Sequence, residues 1–281
     1  MGKLYLVGTP IGNLEDITFR AVKTLQTVDL IAAEDTRHTG RLLQHFQIST
    51  PQISYHQHNR HQREIELINK LKNGENIALV TDAGMPGISD PGYDLVKACI
   101  AADIEVMPIP GVTAAITALV AAGLPTEKFV FEGFLPSKAE AKRTRLKLLS
   151  HEERTIIFYE SPHRLIATLA SLAETCGEER QIAIARELTK IHEEFWRGTL
   201  KEAIELYQQR QPKGEYTLCL AGVNPATKKT MTIAEIQVEL AELIAQGMTR
   251  SQASRYLAKV TGLSRREIYQ LSVTQPNNSA V

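Results

Sequence analysis

Short apolar runs alternate along the chain with stretches that carry helical spacing. Residues 4–7, 30–33, 53–55, 77–80 and 105–109 read as strands, with helices near 18–28, 37–46, 60–72 and 93–102 between them. In the third helix Ile65, Ile68 and Leu71 share one face, Asn59 is placed to cap the start, and Gly74 to end it. Strand and helix in alternation predict a mostly parallel sheet covered on both faces.

A second series follows, with strands near 129–131, 155–159, 182–185, 194–198 and 215–220 and helices near 138–149, 163–174 and 200–209. The stretch 110–128 carries a helix and then a Gly-Leu-Pro break, so the first domain boundary is placed there. After the polar run 223–230 the strand pattern stops. Three short helices are read at 232–245, 249–260 and 264–272, the last two joined through Gly262 with Ser264 as N-cap, which is a helix-turn-helix pattern. The division is therefore 1–122, 123–224 and 225–281: two α/β domains and a small helical tail.

Three loops rich in glycine and proline follow strands of the first series: GTPIGNLED (8–16), TDAGMPGISDPG (81–92) and PIPGVTAA (108–115). In open parallel sheets ligands bind beyond the carboxyl ends of strands. No Walker-type phosphate loop and no G-x-G-x-x-G occurs, and none of the three loops holds a lysine or arginine. Glycine lets the backbone approach a ligand closely and proline fixes the loop. With Asp16, Asp82 and Asp90, such loops suit a ligand bearing hydroxyls, an adenine edge and a cation; three tight turns of an α/β fold are the competing reading.

In the second series FYESPHR (158–164), ARELTK (185–190) and KGEY (213–216) place Glu160, Glu187 and Glu215 at strand ends, either in a cleft or in surface ion pairs. His56, His58 and His61 stand in HQHNRH, where polar contact with a substrate or a solvated loop is favoured over a metal site, since Asn59, Arg60 and Arg63 stand nearer than any cysteine or carboxylate ligand. The run 136–147 holds Lys138, Lys142, Arg143, Arg145 and Lys147, which on a helix form either a solvated face or a set of phosphate contacts.

Composition adds bounds. The 281 residues carry 32 basic and 32 acidic side chains, so whole-chain charge does not select a polyanionic partner, yet residues 226–281 hold seven Lys/Arg against four Asp/Glu. Three dispersed cysteines among apolar neighbours suggest core positions in a reducing cytosol. No run reaches membrane-spanning length and the first residues do not form a signal peptide, so a soluble cytoplasmic protein without a membrane partner is expected.

Eight blocks, TPIGNLEDIT, AAEDTRHTGRLL, YHQHN, DAGMPGISDPG, EGFLPSK, FYESPHR, ARELTK and KGE, occur in one order. In this the chain resembles the ribosomal small-subunit RNA cytidine 2′-O-methyltransferases of the tetrapyrrole methylase superfamily, over nearly its whole length. The resemblance implies two unequal α/β domains with S-adenosylmethionine in the cleft between them, a homodimer, and as substrate the ribose 2′-hydroxyl of a cytidine in the decoding centre of 16S rRNA in the small ribosomal subunit. It further implies cofactor contacts from Pro10, from Asp82, Ala83, Gly84, Met85 and Ile88, from Leu119 and Val120, and from Tyr159, Glu160, Leu188 and Tyr216. Met85 and Gly87 stand where many relatives have threonine and leucine.

Transfer to a hydroxyl is helped by a base. The residues leave Glu34, Asp35, His56, His58 and Glu160 as candidates; Asp35 is assigned the role, with capping of the helix that begins at Thr36 as its competing one. Arg37, His58, Lys138, Lys142, Arg143 and the basic tail are assigned to RNA. A tetrapyrrole (precorrin-type) methyltransferase on the same scaffold is the second reading, and a non-catalytic nucleic-acid-binding regulator the third.

Overall fold

The structure, a computed structural model, describes residues 1–223 and 232–271. The first sheet comprises β1 (Leu4–Val7), β2 (Leu30–Ala33), β3 (Gln52–Ser54), β4 (Ile77–Val80) and β5 (Val106–Ile109). Between and after them run α1 (Phe19–Thr27), α2 (Thr36–His45), α3 (Arg60–Lys72), α4 (Tyr93–Ala101) and α5 (Ala114–Ala121). The strand order is β3-β2-β4-β1-β5 and every pairing is parallel, with Leu4 opposite both Ile77 and Val106.

Side chains alternate across a strand, so a sheet covered on both faces needs apolar residues at every position. That is what β2 supplies. Leu30 and Ala32 pack with Leu67, Leu71, Leu95 and Cys99 of α3 and α4, while Ile31 and Ala33 pack with Ala21, Leu25 and Leu43 of α1 and α2. All four helices begin at the carboxyl edge of the sheet, so the loops preceding them lie together there.

Asn59 precedes α3 but makes no capping bond to it. Its carboxamide instead accepts from the His56 N–H at 2.9 Å and donates to the Ser54 carbonyl at 3.1 Å, closing the HQHN turn on itself. Gly74 ends α3 in a left-handed conformation, φ +97°, with its N–H on the Leu71 carbonyl.

The second sheet comprises β6 (Phe129–Phe134), β7 (Thr155–Glu160), β8 (Gln181–Arg186), β9 (Glu194–Thr199) and β10 (Tyr216–Leu220). Its helices are α6 (Ala139–Leu149), α7 (Leu165–Cys176) and α8 (Leu200–Gln209). The order is β6-β7-β10-β8-β9, and only β6 and β7 are parallel. The loop 187–193 is too short for the crossover that parallel strands require, so β8 and β9 form an antiparallel hairpin. β6 runs three residues past its apolar start because a bulge at Gly133, φ +68°, lets it bend and continue.

Residues Met1–Leu146 and Arg154–Ala221 form one compact unit, which holds both sheets. A second unit takes Lys147–Glu153 and the described residues from Gly222 onward. Within the latter, α9 (Ile233–Ala245), α10 (Arg250–Thr261) and α11 (Arg265–Leu271) close on Ile236, Leu240, Ala253, Leu257 and Ile268. Gly262 caps α10 at φ +76°, and Ser264 and Glu267 bond each other's backbone N–H in a capping box that opens α11. Nearly all of the predicted polar linker, residues 224–230, and residue 272 of the last predicted helix lie outside the described residues. No helix among the described residues is long and apolar enough to cross a membrane.

Candidate active site

The three glycine-rich loops meet as one wall at the carboxyl edge of the first sheet. Thr9 and Gly84 exchange two backbone hydrogen bonds, at 2.9 and 3.1 Å, and the Thr9 hydroxyl donates to the Thr81 carbonyl at 3.0 Å. The first and third loops come into close backbone contact. A Cβ on Gly8 would lie 2.7 Å from the Gly111 Cα and 2.7 Å from the Met85 sulfur, closer than real carbons pack. Only glycine at both positions allows that approach.

The opposing wall comes from the second sheet. Ile157, Ala183, Ala185, Leu188 and Cys219 pack with Ile11 of the first loop and with Ala115, Ala118 and Leu119 of α5. The Tyr159 hydroxyl accepts a bond from the Ala115 N–H at 3.2 Å, and its ring meets those of Phe131 and Phe134 edge to face. Leu188 is held by a strained turn: Glu187 and Thr189 on either side are both left-handed, at φ +50° and +65°.

Between the walls lies a cavity of about 430 Å³, in the range of small-molecule sites. The first wall contributes Ile11, Glu34, Asp82–Ile88 without Pro86 and Gly87, Ser89, Asp90, Thr113 and Ala114. The second contributes Phe134, Tyr159–Pro162, Ala185, Leu188, Glu215 and Thr217. Among the described residues no lysine, arginine or histidine lines it.

Its carboxylates differ in commitment. Glu160 is buried and fully engaged: it accepts from the Ser161 N–H at 2.8 Å and the Thr168 hydroxyl at 2.7 Å, and faces Arg164 at 3.4 Å. Glu215 pairs with Lys190 at 2.8 Å. Asp82 accepts from the Asp35 N–H at 3.2 Å. Glu34 is pushed above the usual carboxylate range, first by burial and then by its acidic neighbours Asp82 and Asp35, against a partial offset from the Asp82 N–H. Asp90 is pushed up to about 7, by burial first and then by the charges of Glu34 and Asp82. Among the described residues no three His, Cys, Asp or Glu side chains stand close enough to hold a metal ion.

Of the residues assigned to the cofactor from sequence, Asp82, Ala83, Gly84, Met85, Ile88, Tyr159, Glu160 and Leu188 line this cavity. Pro10, Leu119, Val120 and Tyr216 do not. Leu119 is in the apolar layer between α5 and the second sheet, and Val120, on the next face of the helix, is exposed. Tyr216 is buried with its hydroxyl accepting from the Lys213 N–H, and its neighbours Glu215 and Thr217 line the cavity instead. The sequence reading did not single out Ile11, Thr113, Phe134, Ser161 or Thr217. All but Thr217 stand inside one of the quoted blocks, and Thr217 directly follows KGEY, which was the available signal.

Asp35 is outside the cavity lining and takes its competing role. It caps α2 by accepting from the Arg37 N–H at 2.8 Å, and the Arg37 guanidinium grips the same carboxylate at 3.1 and 2.7 Å. That bidentate grip holds the Asp35 carboxyl well below the usual range, which makes it a poor proton acceptor. Arg37 is otherwise exposed. His58 is exposed, its ring 5.9 Å from that of His56. Lys138 and Arg143 are exposed, the Lys142 ammonium reaches the Ala167 carbonyl at 3.4 Å, and Arg145 pairs with Glu132 at 2.7 Å.

The family model of the tetrapyrrole (corrin/porphyrin) methylases matches residues 3–204. A protein of Synechocystis sp. named ribosomal RNA small subunit methyltransferase I is 62% identical over 273 residues, 97% of this chain and 98% of its own. A protein of the same name from Halalkalibacterium halodurans is 48% identical over 96% of this chain and 94% of its own. Among solved structures, a uroporphyrin-III C-methyltransferase of Thermus thermophilus, complexed with S-adenyl homocysteine, aligns with a TM-score of 0.56. It covers 78% of this chain and 97% of its own at 16% identity, a likeness of fold.

Proposed function

The chain belongs to the tetrapyrrole (corrin/porphyrin) methylases, and on that premise we propose that it is an S-adenosylmethionine-dependent methyltransferase of small-subunit ribosomal RNA. Near-full-length identity to relatives of that name supports the RNA substrate. The finer reading is methylation of the ribose 2′-hydroxyl of a decoding-centre cytidine, and the eight ordered sequence blocks support it. A homodimer in the cytoplasm is the accompanying expectation.

One observation carries the reading at the site: a cavity of about 430 Å³ bordered by Glu34, Asp82 and Asp90 and, among the described residues, by no basic side chain. Such a surface fits a cationic sulfonium ligand and disfavours a triphosphate. The glycine loop Asp82–Met85 offers backbone to the ligand's polar groups, and Tyr159 and Phe134 offer aromatic surface. When bound, S-adenosylmethionine supplies a methyl carbon made electrophilic by its positive sulfur. The protein's own part is then to align and shield. The Gly8–Gly111 contact and the Thr9–Gly84 pair fix the first wall, so the ligand is held without reorganisation. The apolar seam of Ile11, Leu119 and Leu188 keeps water from behind it. Arg37, His58, Lys138, Lys142 and Arg143 are assigned to the RNA backbone, which they would contact through charge without reading sequence.

Incubating the protein with S-adenosylmethionine and unmodified small subunits, followed by mass spectrometry of nucleosides, tests this. One 2′-O-methylcytidine per subunit is expected. A methyl mark on a base would overturn the ribose 2′-hydroxyl reading, and no mark on RNA with transfer to a porphyrin-like acceptor would overturn the RNA reading in favour of the second one.

A further inference from the structure

Four of the carboxylates around the cavity are already engaged. Glu160 and Glu215 are held by hydrogen bonds and ion pairs, Asp82 takes the Asp35 N–H, and Glu34 takes the Asp82 N–H at 3.5 Å. Asp90 is the exception. It lines the cavity, it is half-buried, and among the described residues it makes no hydrogen bond or ion pair.

Its placement is built. Ser89 before it is left-handed, φ +64°, and Pro91 after it fixes the chain as it enters α4 through Gly92. Ser89 packs on the bulge of β6: a Cβ on Gly133 would lie 3.1 Å from the Ser89 hydroxyl. The irregular step in the second sheet thus makes room for the loop that carries Asp90. A non-glycine residue in the left-handed region at such a point marks a backbone held for what it presents.

We propose that Asp90 is the catalytic base, accepting the proton of the substrate hydroxyl as that oxygen attacks the methyl carbon. The inference rests on the methyl-transfer reading of the cavity. The hydroxyl oxygen forms its bond to carbon, the carbon–sulfur bond breaks with its electron pair left on sulfur, and the proton passes to the Asp90 carboxylate and then to solvent. The groups that face Asp90 are Glu34 from the end of β2, Asp82 from the end of β4, and Tyr159 from β7. None is cationic, and among the described residues no basic side chain offsets its charge. Burial and the two like charges raise its affinity for a proton, to about 7, near the value at which a base accepts a proton most usefully at neutral pH. A cationic ligand in the same cavity would drive that proton off and leave the carboxylate ready, whereas the neutral thioether product would not. Arrival of the methyl donor and arming of the base are then one event.

Two measurements test this with the full-length protein. The first is calorimetry of ligand binding at pH 7 in buffers of different ionisation enthalpy, which counts protons released. S-adenosylmethionine should release a substantial fraction of a proton from the wild type, S-adenosylhomocysteine much less, and Asp90→Asn should abolish the difference, while Glu34→Gln, which removes one of the two charges that raise Asp90, should reduce it without abolishing it. The second is the pH profile of single-turnover methylation. Asp90→Asn should lower the rate by about 10²–10⁴-fold, the usual contribution of a general base, and lose the acid limb that the donor-bound wild type shows below pH 7, with S-adenosylhomocysteine affinity within threefold of wild type. Equal proton release by the two ligands in the wild type would overturn the proposal, and that result does not depend on any variant folding. So would an Asp90→Asn rate within threefold, or a release that disappears in Glu34→Gln instead. Failure of the wild type to bind or use S-adenosylmethionine would instead count against the functional reading beneath it.

Discussion

At the residue scale, Asp35, Asp90 and Glu160 are acidic groups at strand ends and loops whose partners give them three different fates. Asp35 is a helix cap gripped by Arg37, Glu160 is a buried anchor for the start of α7, and Asp90 faces the cavity with no partner among the described residues. Asp90 also makes a stability prediction. The folded protein holds its proton up to about pH 7, against 3.8 for the ordinary group. The group therefore does not weigh on folding below about pH 4, and opposes it increasingly as pH rises through that window. With solvent screening allowed for, Asp90→Asn should be more stable than wild type by about 1–2 kcal/mol at pH 8 and equal to it near pH 4. Denaturation with urea at the two pH values checks this. Glu160→Ala should cost about 1–3 kcal/mol at pH 7, because the Thr168 hydroxyl and Ser161 N–H lose their acceptor. The sequence displayed all three acids but not their fates. Those depend on whether a guanidinium, a hydroxyl or nothing lies opposite, and for Glu160 and Asp90 the opposing groups arrive from eight residues away or from other strands.

At the element scale, the first sheet was legible because strands buried on both faces, such as β2 and β4, read as unbroken apolar runs. The second sheet was legible in its strands and not in their directions. Direction follows from connection length, and the short 187–193 turn makes β8 and β9 antiparallel. The bulge that prolongs β6 beyond residue 131 was hidden because its glycine reads equally well as a strand end. The site walls depend on such backbone details. Gly111→Ala puts a methyl 2.8 Å from the Gly8 Cα, with backbone on both sides and no flexible side chain to yield. It should cost about 1–3 kcal/mol as an overpacking change and weaken S-adenosylmethionine binding at least tenfold, read by thermal melting and calorimetry. Unchanged affinity would show that the first and third loops need not touch for the wall to form.

At the scale of the whole molecule, charge is divided: residues 226–281 carry three net positive charges and the remainder three net negative. RNA binding that relies on Arg37, Lys138, Arg143 and the tail should weaken linearly in log–log terms with salt, by about 0.7 per phosphate contacted on a single strand. Ending the chain at residue 224 should flatten that slope while leaving S-adenosylmethionine affinity within threefold, since the cavity is built wholly from the unit that holds both sheets. Loss of cofactor binding on truncation would contradict this division. Of the tail's helices, the last was readable from its cap Ser264, while Thr232 and Thr249 cap the other two in the structure without having been singled out. The tail's part in binding was not readable, because charge alone does not name a partner.

The central claim is that the cavity between the two sheets is the methyl-donor site. The most direct test is a crystal structure with S-adenosylhomocysteine. The account predicts the ligand against Asp82–Met85 on one side and Tyr159 and Leu188 on the other, with its sulfur toward the Glu34, Asp82 and Asp90 carboxylates. Ligand density outside this cavity, or within it with the sulfur turned away from those three groups, would contradict the account.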